Sequence, residues 1–295
     1  MKQIIIAITV VFAFTSCKTI KTDNNQNLKE GIKMETISKL SNKQKTLAVL
    51  KSIETGDKNA VAFINPTNYT QHNLAVADGL AGFGALLSHA PEGGFKVNTV
   101  RAFEDEDYVF TQTAYDFFGP KIGFDIFRFE NGQIVEHWDN LTAVLPKNAS
   151  GHSQIDGTTA ITDLDKTTAN KTLVHNFVKD ILIDGKMEKL SNYFDGDNYI
   201  QHNSQIADGL SGLGAALEGM AKQGIAMVVT KTHKVLGQGN FVLAISEGTF
   251  AGKATSYYDL FRVENNKIAE HWDVMETILK ESDRKNTNGK FNFPN

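Results

Sequence analysis

Apolar positions in the first part of the chain recur at helical spacing. Leu47, Leu50 and Ile53 form one such group, Val61 and Ile64 another, and Gly56-Asp57 separates them; the pattern predicts two helices. The Gly-punctuated segment Leu80 to Leu87 predicts another. Beyond it the period changes to that of strands. Lys96 to Phe103, Tyr108 to Tyr115, Gly123 to Phe129 and Gln133 to Val144 fit an antiparallel meander. The whole pattern then repeats. Leu173, Phe177, Val178, Ile181 and Leu182 precede a break at Asp184-Gly185, and Met187, Leu190 and Phe194 follow it. Asp165 or Thr167 is the expected N-cap. A helix over Leu210 to Met220 comes next. Four strand-like segments close the copy: Ala226 to Val235, Asn240 to Phe250, Thr255 to Val263 and Lys267 to Leu279.

The duplication is literal at three places. Y-T-Q-H-N-L-A-V-A-D-G-L-A-G-F-G from Tyr69 matches Y-I-Q-H-N-S-Q-I-A-D-G-L-S-G-L-G from Tyr199. D-I-F-R-F-E-N-G from Asp125 matches D-L-F-R-V-E-N-N from Asp259, and E-H-W-D occurs at Glu136 and again at Glu270. The chain is one domain written twice. The offset between copies grows from 130 at the tyrosines to 134 at the aspartates, so the second copy carries extra residues, expected around Ala221 to Thr232. Helices followed by a run of antiparallel strands make an α+β class. The expected boundaries are 34–145 and 166–281 for the two domains, a Ser/Gly/Asn-rich linker over 146–165, and a disordered polar tail over 282–295.

The chain has 295 residues, 41% hydrophobic and 22% charged, with net charge -4. Nothing there predicts a nucleic-acid partner. The first 16 residues read as a signal peptide: Lys2 is basic, and Ile4 to Phe14 is apolar but short of the ~20 residues of a membrane span. The run ends in Phe14-Thr15-Ser16-Cys17, which resembles the lipobox of bacterial lipoproteins. Cys17 is the only cysteine, which excludes an internal disulfide and suits lipidation. Residues 17–33 then read as a flexible tether. The expected location is the bacterial cell envelope, exported and lipid-anchored at Cys17, with the membrane touched through that anchor only.

The paired motifs resemble the SnoaL-like branch of the nuclear-transport-factor-2-like superfamily. The carriers are Y-x-Q-H-N with D-G behind it, then D-x-F-R-x-E-N ending in E-H-W-D, in both copies. The resemblance implies two tandem cone-shaped domains, each a curved antiparallel sheet with covering helices around a pocket. It also implies metal-free acid–base chemistry of the aldol, cyclase or isomerase type, with no cofactor. It places His72 and His202 at the pocket rim, near the hydroxyls of Tyr69 and Tyr199. Two features depart from the pattern. Leu74 and Ser204 stand where relatives often have proline after the H-N pair. No histidine occurs in Thr111 to Thr113 or Ile245 to Glu247, the strand before D-x-F-R.

The turn at Glu130 to Gln133 decides which groups share a face. A three-residue loop with Gly132 left-handed pairs Phe129 with Gln133 and sets Asp125 opposite His137. A two-residue Asn131-Gly132 turn sets Asp125 beside Trp138 and Glu136, because one residue of register flips the face. The three-residue loop is favoured. One face then carries Asp125, Phe127, Phe129, Val135, His137 and Asp139; the other carries Ile126, Arg128, Ile134, Glu136 and Trp138.

The candidate catalytic groups are therefore Asp125, His137, Asp139 and His72, repeated as Asp259, His271, Asp273 and His202. Tyr69, Gln71 and Phe127, repeated as Tyr199, Gln201 and Phe261, are candidate ligand contacts. The expected ligand is a small apolar or carbonyl-bearing molecule. Plainer readings stand beside these. Asp125 and His137 fit a structural hydrogen-bonded pair equally well, Arg128 and Glu136 fit a cross-strand salt bridge, and His72 with Asn73 fits a helix cap. A metal set of His72, His137 and Asp139 is set aside in favour of no metal. Trp138 and Trp272 are expected in core or inter-domain packing, consistent with an internal pseudo-dimer. The glycine strings from Gly79 and Gly209 read as backbone-packing glycines. His89, His152, His175 and His233, with no counterpart in the other copy, read as surface groups.

Overall fold

The computed structural model describes residues 40–294. The expected signal peptide and tether, with Cys17, lie outside those residues. Ser41–Asn295 forms one compact unit.

Helix α1 (Asn42–Thr55) starts on a capping box: the Ser41 hydroxyl accepts from the Gln44 N–H, and the Gln44 side chain accepts from the Ser41 N–H. It ends at Gly56 in the left-handed region, where glycine is unstrained. A short α2 (Lys58–Val61), β1 (Thr70–Gln71) and α3 (Gly79–Ser88) lead into the meander. Its strands are β2 (Lys96–Asp105), β3 (Tyr108–Asp116), β4 (Pro120–Glu130) and β5 (Gln133–Ala143). The second copy runs α4 (Thr167–Phe177), continued by a π-helical turn and a 3-10 segment, then β6 (Ile200–Gln201) and α5 (Gly209–Lys222). Strands β7 (Met227–Gln238), β8 (Phe241–Phe250), β9 (Lys253–Glu264) and β10 (Lys267–Thr277) follow. Helix α5 has 14 residues against 10 in α3, a shorter loop follows it, and an added bulge in β7 and the β8–β9 connection complete the growth in offset. The sheets are ordered β1-β5-β4-β3-β2 and β6-β10-β9-β8-β7. In each, the two-residue strand is parallel and the rest is antiparallel.

The glycine strings do pack backbone. A Cβ on Gly82 or Gly212 would collide with the carbonyl oxygen of Ala77 or Ala207, so each helix can cross its preceding loop only through glycine.

The hairpin turn differs from the expected one. Glu130 pairs with Gln133 across a two-residue turn, in which Asn131 and Gly132 both have positive φ, the requirement of a type I′ hairpin. A bulge then follows. Phe129 pairs with Ile134, but Arg128 pairs with Glu136, leaving Val135 as the extra residue. The short turn and the bulge each shift register by one, and the two shifts preserve the face. Phe127 thus opposes His137 and Asp125 opposes Asp139, instead of Asp125 opposing His137. The second copy does the same, with the bulge between Ile268 and Glu270.

One face of each sheet packs against the other copy. Phe110, Phe124, Ile126 and Trp138 share a single core with Leu243, Tyr258, Leu260 and Trp272, all fully buried. Asn140 reaches across, donating to the carbonyls of Ser256 (3.0 Å) and Val274 (2.9 Å).

The C-terminal segment is not a disordered tail. It crosses to the first copy and is seated there. Asn286 donates to the carbonyls of Asn73 and Val76, and Asn288 to that of Gln71 and to Asp78. Phe293 stacks on Trp138 at 4.5 Å. Lys290, only 6% exposed, donates to the Asp139 carbonyl and to Glu276. Polar composition hid this, because the asparagines are spent on otherwise orphaned loop carbonyls. The linker does the same for the second copy. Asn148 donates to the carbonyls of Gln201 and Ile206, and Trp272 donates to the Asp156 carbonyl. The two segments share a sequence: K-N-A-S-G from Lys147 and K-N-T-N-G from Lys285. They are reciprocal straps.

Candidate functional site

The other face of the first sheet, with α1 and α3, encloses a cavity of about 180 Å³. Asp125, His137 and Asp139 line it, with Tyr69, Gln71 and Phe127. Val49, Leu50, Ile53, Ile64, Phe83 and Leu86 supply apolar wall. The strand alternation of β4 and β5 aims the polar groups inward, and the parallel pairing of Gln71 with His137 brings Gln71 onto the same face.

A hydrogen-bond chain sets the protons. Gln71 Oε1 accepts from the Asn73 N–H at 2.8 Å, which turns its amide nitrogen toward His137 Nδ1 (3.2 Å). An amide nitrogen only donates, so Nδ1 offers its lone pair and the ring hydrogen sits on Nε2. That hydrogen points at Asp125 Oδ1, 3.2 Å away. The other Asp125 oxygen accepts from the Tyr115 hydroxyl at 2.7 Å. Both Asp125 oxygens are thus engaged. Asp139 is different. Its Oδ2 accepts from Asn73 Nδ2 at 2.9 Å, while its Oδ1 is buried and has no hydrogen-bond partner. Burial pushes the Asp125 carboxyl above the ordinary carboxylate range; His137 pulls it partly back, and the Asp139 charge adds to the rise. Burial, then Asp139 and Asp125, raises the Tyr69 hydroxyl, and burial raises that of Tyr115. Both tyrosines remain hydrogen donors.

Tyr115 escaped the sequence reading because its counterpart in the strand register is Gly248, so comparing the copies hid it. His72 and His202 are corrections. Neither lies on a pocket rim. Residue 72 follows Gln71 in β1 and alternates to the opposite face, where His72 stacks on Trp138 at 4.4 Å. Its Nδ1 donates to the Gly289 carbonyl (2.7 Å) and its Nε2 faces Glu136 (3.2 Å). His202 repeats this on Trp272 with Ser153 and Glu270. These histidines receive the straps. The set His72, His137 and Asp139 therefore does not converge. Arg128 and Glu136 form the cross-strand salt bridge. Burial works against the Glu136 carboxylate, but His72 and Arg128 outweigh it and hold it below its usual range.

In the second copy His271 Nε2 lies 3.0 Å from Asp259, and Asn203 donates to both oxygens of Asp273. Burial raises the Asp273 carboxyl, against the pull of His271. The glutamine is turned over. Gln201 Oε1 accepts from the His202 and Asn203 N–H groups and itself faces His271 Nδ1 at 3.1 Å. Its amide nitrogen goes to the Tyr199 hydroxyl. Nδ1 therefore carries a hydrogen here, and the Asp259 contact needs a second proton on either partner. The second copy's pair holds one proton more than the first. Its wall also carries more rings. The Tyr193 carbonyl accepts from Ile268 as the Phe63 carbonyl accepts from Ile134, so Phe194 stands where the first copy has Ile64. Phe177 packs edge-on against both Phe194 and Phe261.

No family profile matches the chain, and no curated protein does. Solved structures similar to it include an NTF2-like protein of unknown function from Cytophaga hutchinsonii (14% identity, 35% of this chain and 92% of that one, TM-score 0.32). Another is a SnoaL-like polyketide cyclase from Agrobacterium tumefaciens (14%, 36% and 91%, TM-score 0.30). A third is an LEH-like epoxide hydrolase from M. tuberculosis (19%, 38% and 85%, TM-score 0.29). Each match covers about the length of one copy.

Proposed function

We propose that the first copy's cavity is an acid–base site for a small, mostly apolar carbonyl compound. The observation that carries it is the bare Oδ1 of Asp139, a buried acceptor on a residue that lines the cavity. A buried carboxylate oxygen without a donor is costly, and a substrate C–H or O–H is what it lacks. Asp139 is the base, with Asn73 fixing its other oxygen. It removes a proton α to the carbonyl, and Tyr69, still protonated, donates to the enolate oxygen. His137 and Asp125 hold the polar wall in one protonation state. The enolate then adds to a second carbonyl, or takes the proton back at another carbon. The volume is below the ~300–1,000 Å³ of drug-sized pockets, so the compound is small. The second copy, with more rings in its wall and differently protonated, has the structural role.

The test is α-hydrogen exchange. The full chain in D₂O with a panel of small cyclic ketones, followed by NMR, exchanges deuterium into the α position. Asp139→Asn lowers that rate by about 10²–10⁴. Equal rates in wild type and Asp139→Asn overturn the assignment. The closed network around Asp125 favours a second reading, a rigid pocket that binds without reacting. Saturable ketone binding with no exchange would establish it. Export and anchoring at Cys17 belong to the same proposal: Cys17→Ser releases the protein from the membrane fraction, and unchanged fractionation refutes the anchor.

A further inference from the structure

His152 is not a plain surface group. Its Nδ1, Asp156 Oδ1 and His202 form one of two clusters among the described residues whose donor atoms lie within 4.8 Å of one another. The other is Asp125, His137 and Asp139 in the cavity. In the linker cluster, His202 Nδ1 is 2.8 Å and His152 Nδ1 is 3.9 Å from Asp156 Oδ1. These bracket the about 3.3 Å edge of a tetrahedral zinc site with 2.0–2.1 Å bonds. Asp156 Oδ1 is buried and lacks a hydrogen-bond partner.

The surroundings are those of metal-ligating histidines. Each ring turns its far nitrogen to a carboxylate: His152 Nε2 to Asp208 at 3.1 Å, and His202 Nε2 to Glu270 at 2.9 Å. For His152 that contact leaves the lone pair on Nδ1 and strengthens it as a ligand; His202 Nδ1 also meets the Ser153 carbonyl at 2.9 Å, so there an ion takes the place of the hydrogen shared with that oxygen. His137 in the cavity lacks this arrangement, since its second nitrogen meets the Gln71 amide. The linker loop is already organised. The Ser153 N–H donates to Asp156 Oδ2, and the Asp156 N–H donates to Ser153 Oγ. Asn148 Oδ1 accepts from the His152 N–H. Gly157 comes so close that a Cβ there would collide with Glu270 and His202. The His152 and Asp156 side chains keep 31% and 40% exposure, which leaves an ion a way in. The first copy's strap has Lys290 and Pro294 at the matching positions, so it offers no such donors.

We propose that His152, Asp156 and His202 bind one divalent first-row metal ion, Zn²⁺ foremost, which pins the linker strap to the second copy. Two imidazoles and one carboxylate are donors for Zn²⁺ and its neighbours and are poor for Mg²⁺ or Ca²⁺.

The test uses tag-free full-length protein stripped with a chelator. Calorimetry with Zn²⁺ and visible absorption with Co²⁺ each read one equivalent per chain. His152→Ala and Asp156→Asn, both on the surface loop, abolish it while circular dichroism stays native. Asp208→Asn, changing only the supporting carboxylate, weakens it about 10- to 100-fold. His137→Gln leaves it intact. Absence of saturable binding in the wild type overturns the proposal. So does wild-type affinity in His152→Ala and Asp156→Asn, and so does loss of binding in His137→Gln, which places the ion in the cavity.

Discussion

Lys290→Met tests whether the C-terminal segment is a structural strap. Lys290 Nζ donates to Glu276 at 2.6 Å and to the Asp139 carbonyl at 2.6 Å. Its side chain is 5% exposed and that of Glu276 is 27% exposed. Removing one partner of a fully buried ion pair costs about 3–5 kcal/mol, chiefly because the other charge is stranded. Glu276 keeps some water, so the expected loss is about 2–3 kcal/mol. At about 2–4 °C per kcal/mol for a body of this size, the midpoint falls by roughly 4–12 °C. The stranded charge makes the second substitution informative. Lys290→Met with Glu276→Leu removes both charges and recovers most of the loss, since an apolar pair of similar volume replaces a buried ion pair at little cost. Urea denaturation of wild type, the two single variants and the double variant measures the cycle. A Lys290→Met variant within about 0.5 kcal/mol of wild type refutes the reasoning, as does a double variant no more stable than Lys290→Met.

The Asp125 carboxyl, raised by burial above the ordinary carboxylate range, gives stability that is fully present below the unfolded value and is lost as pH rises through the raised folded value. Asp125→Asn removes that loss, so its stability relative to wild type climbs with pH between those two values and is flat above. Denaturation at stepped pH from 4 to 8 checks it, and a difference independent of pH is the contrary result. Phe194→Ile recreates Ile64 in the second copy. It costs about 1–2 kcal/mol, less than the 3–5 of Phe→Ala, and leaves a hollow beside Phe177 and Phe261. Benzene then raises the melting point of the variant and not of wild type; equal shifts exclude the hollow.

The face carrying Asp125, Phe127, His137 and Asp139 was legible in the sequence although the turn was not. Face membership depends only on parity. A three-residue loop without a bulge and a two-residue loop with one give the same parity, and the apolar pattern reads parity alone. Pairing partners need the bulge, which leaves no mark in that pattern: Val135 is apolar in either register. His72 was misplaced for a related reason. It follows a two-residue strand, too short for a periodicity, and only the parallel pairing of Gln71 with His137 fixes which way residue 72 points. The straps were visible as K-N-x-x-G at Lys147 and Lys285, but their composition is that of loops. What it cannot show is that the asparagines serve the partner copy's backbone.

The two copies divide what a single ancestral copy had to combine. Both keep the carboxylate–histidine pair, the Trp-stacked histidine and a strap. The Trp-stacked histidine and the strap lie between the copies, whereas in the first copy the carboxylate–histidine pair faces the inner cavity. The differences lie in the inner pocket: Ile64 against Phe194, Tyr115 against Gly248, and the atom of Gln71 or Gln201 that meets the histidine. All three changes act on the inner pocket and point the same way. The first copy keeps volume, a second donor to Asp125 and a histidine with one proton. The second carries more rings in its wall and holds its pair with an added proton. A ring at Phe194 takes room in the pocket, and the Gln201 oxygen meets a hydrogen on His271 Nδ1 where the Gln71 amide meets a lone pair on His137. The polar pair of the second copy is left with a packing task, which the extra proton serves by completing the hydrogen bond between His271 and Asp259.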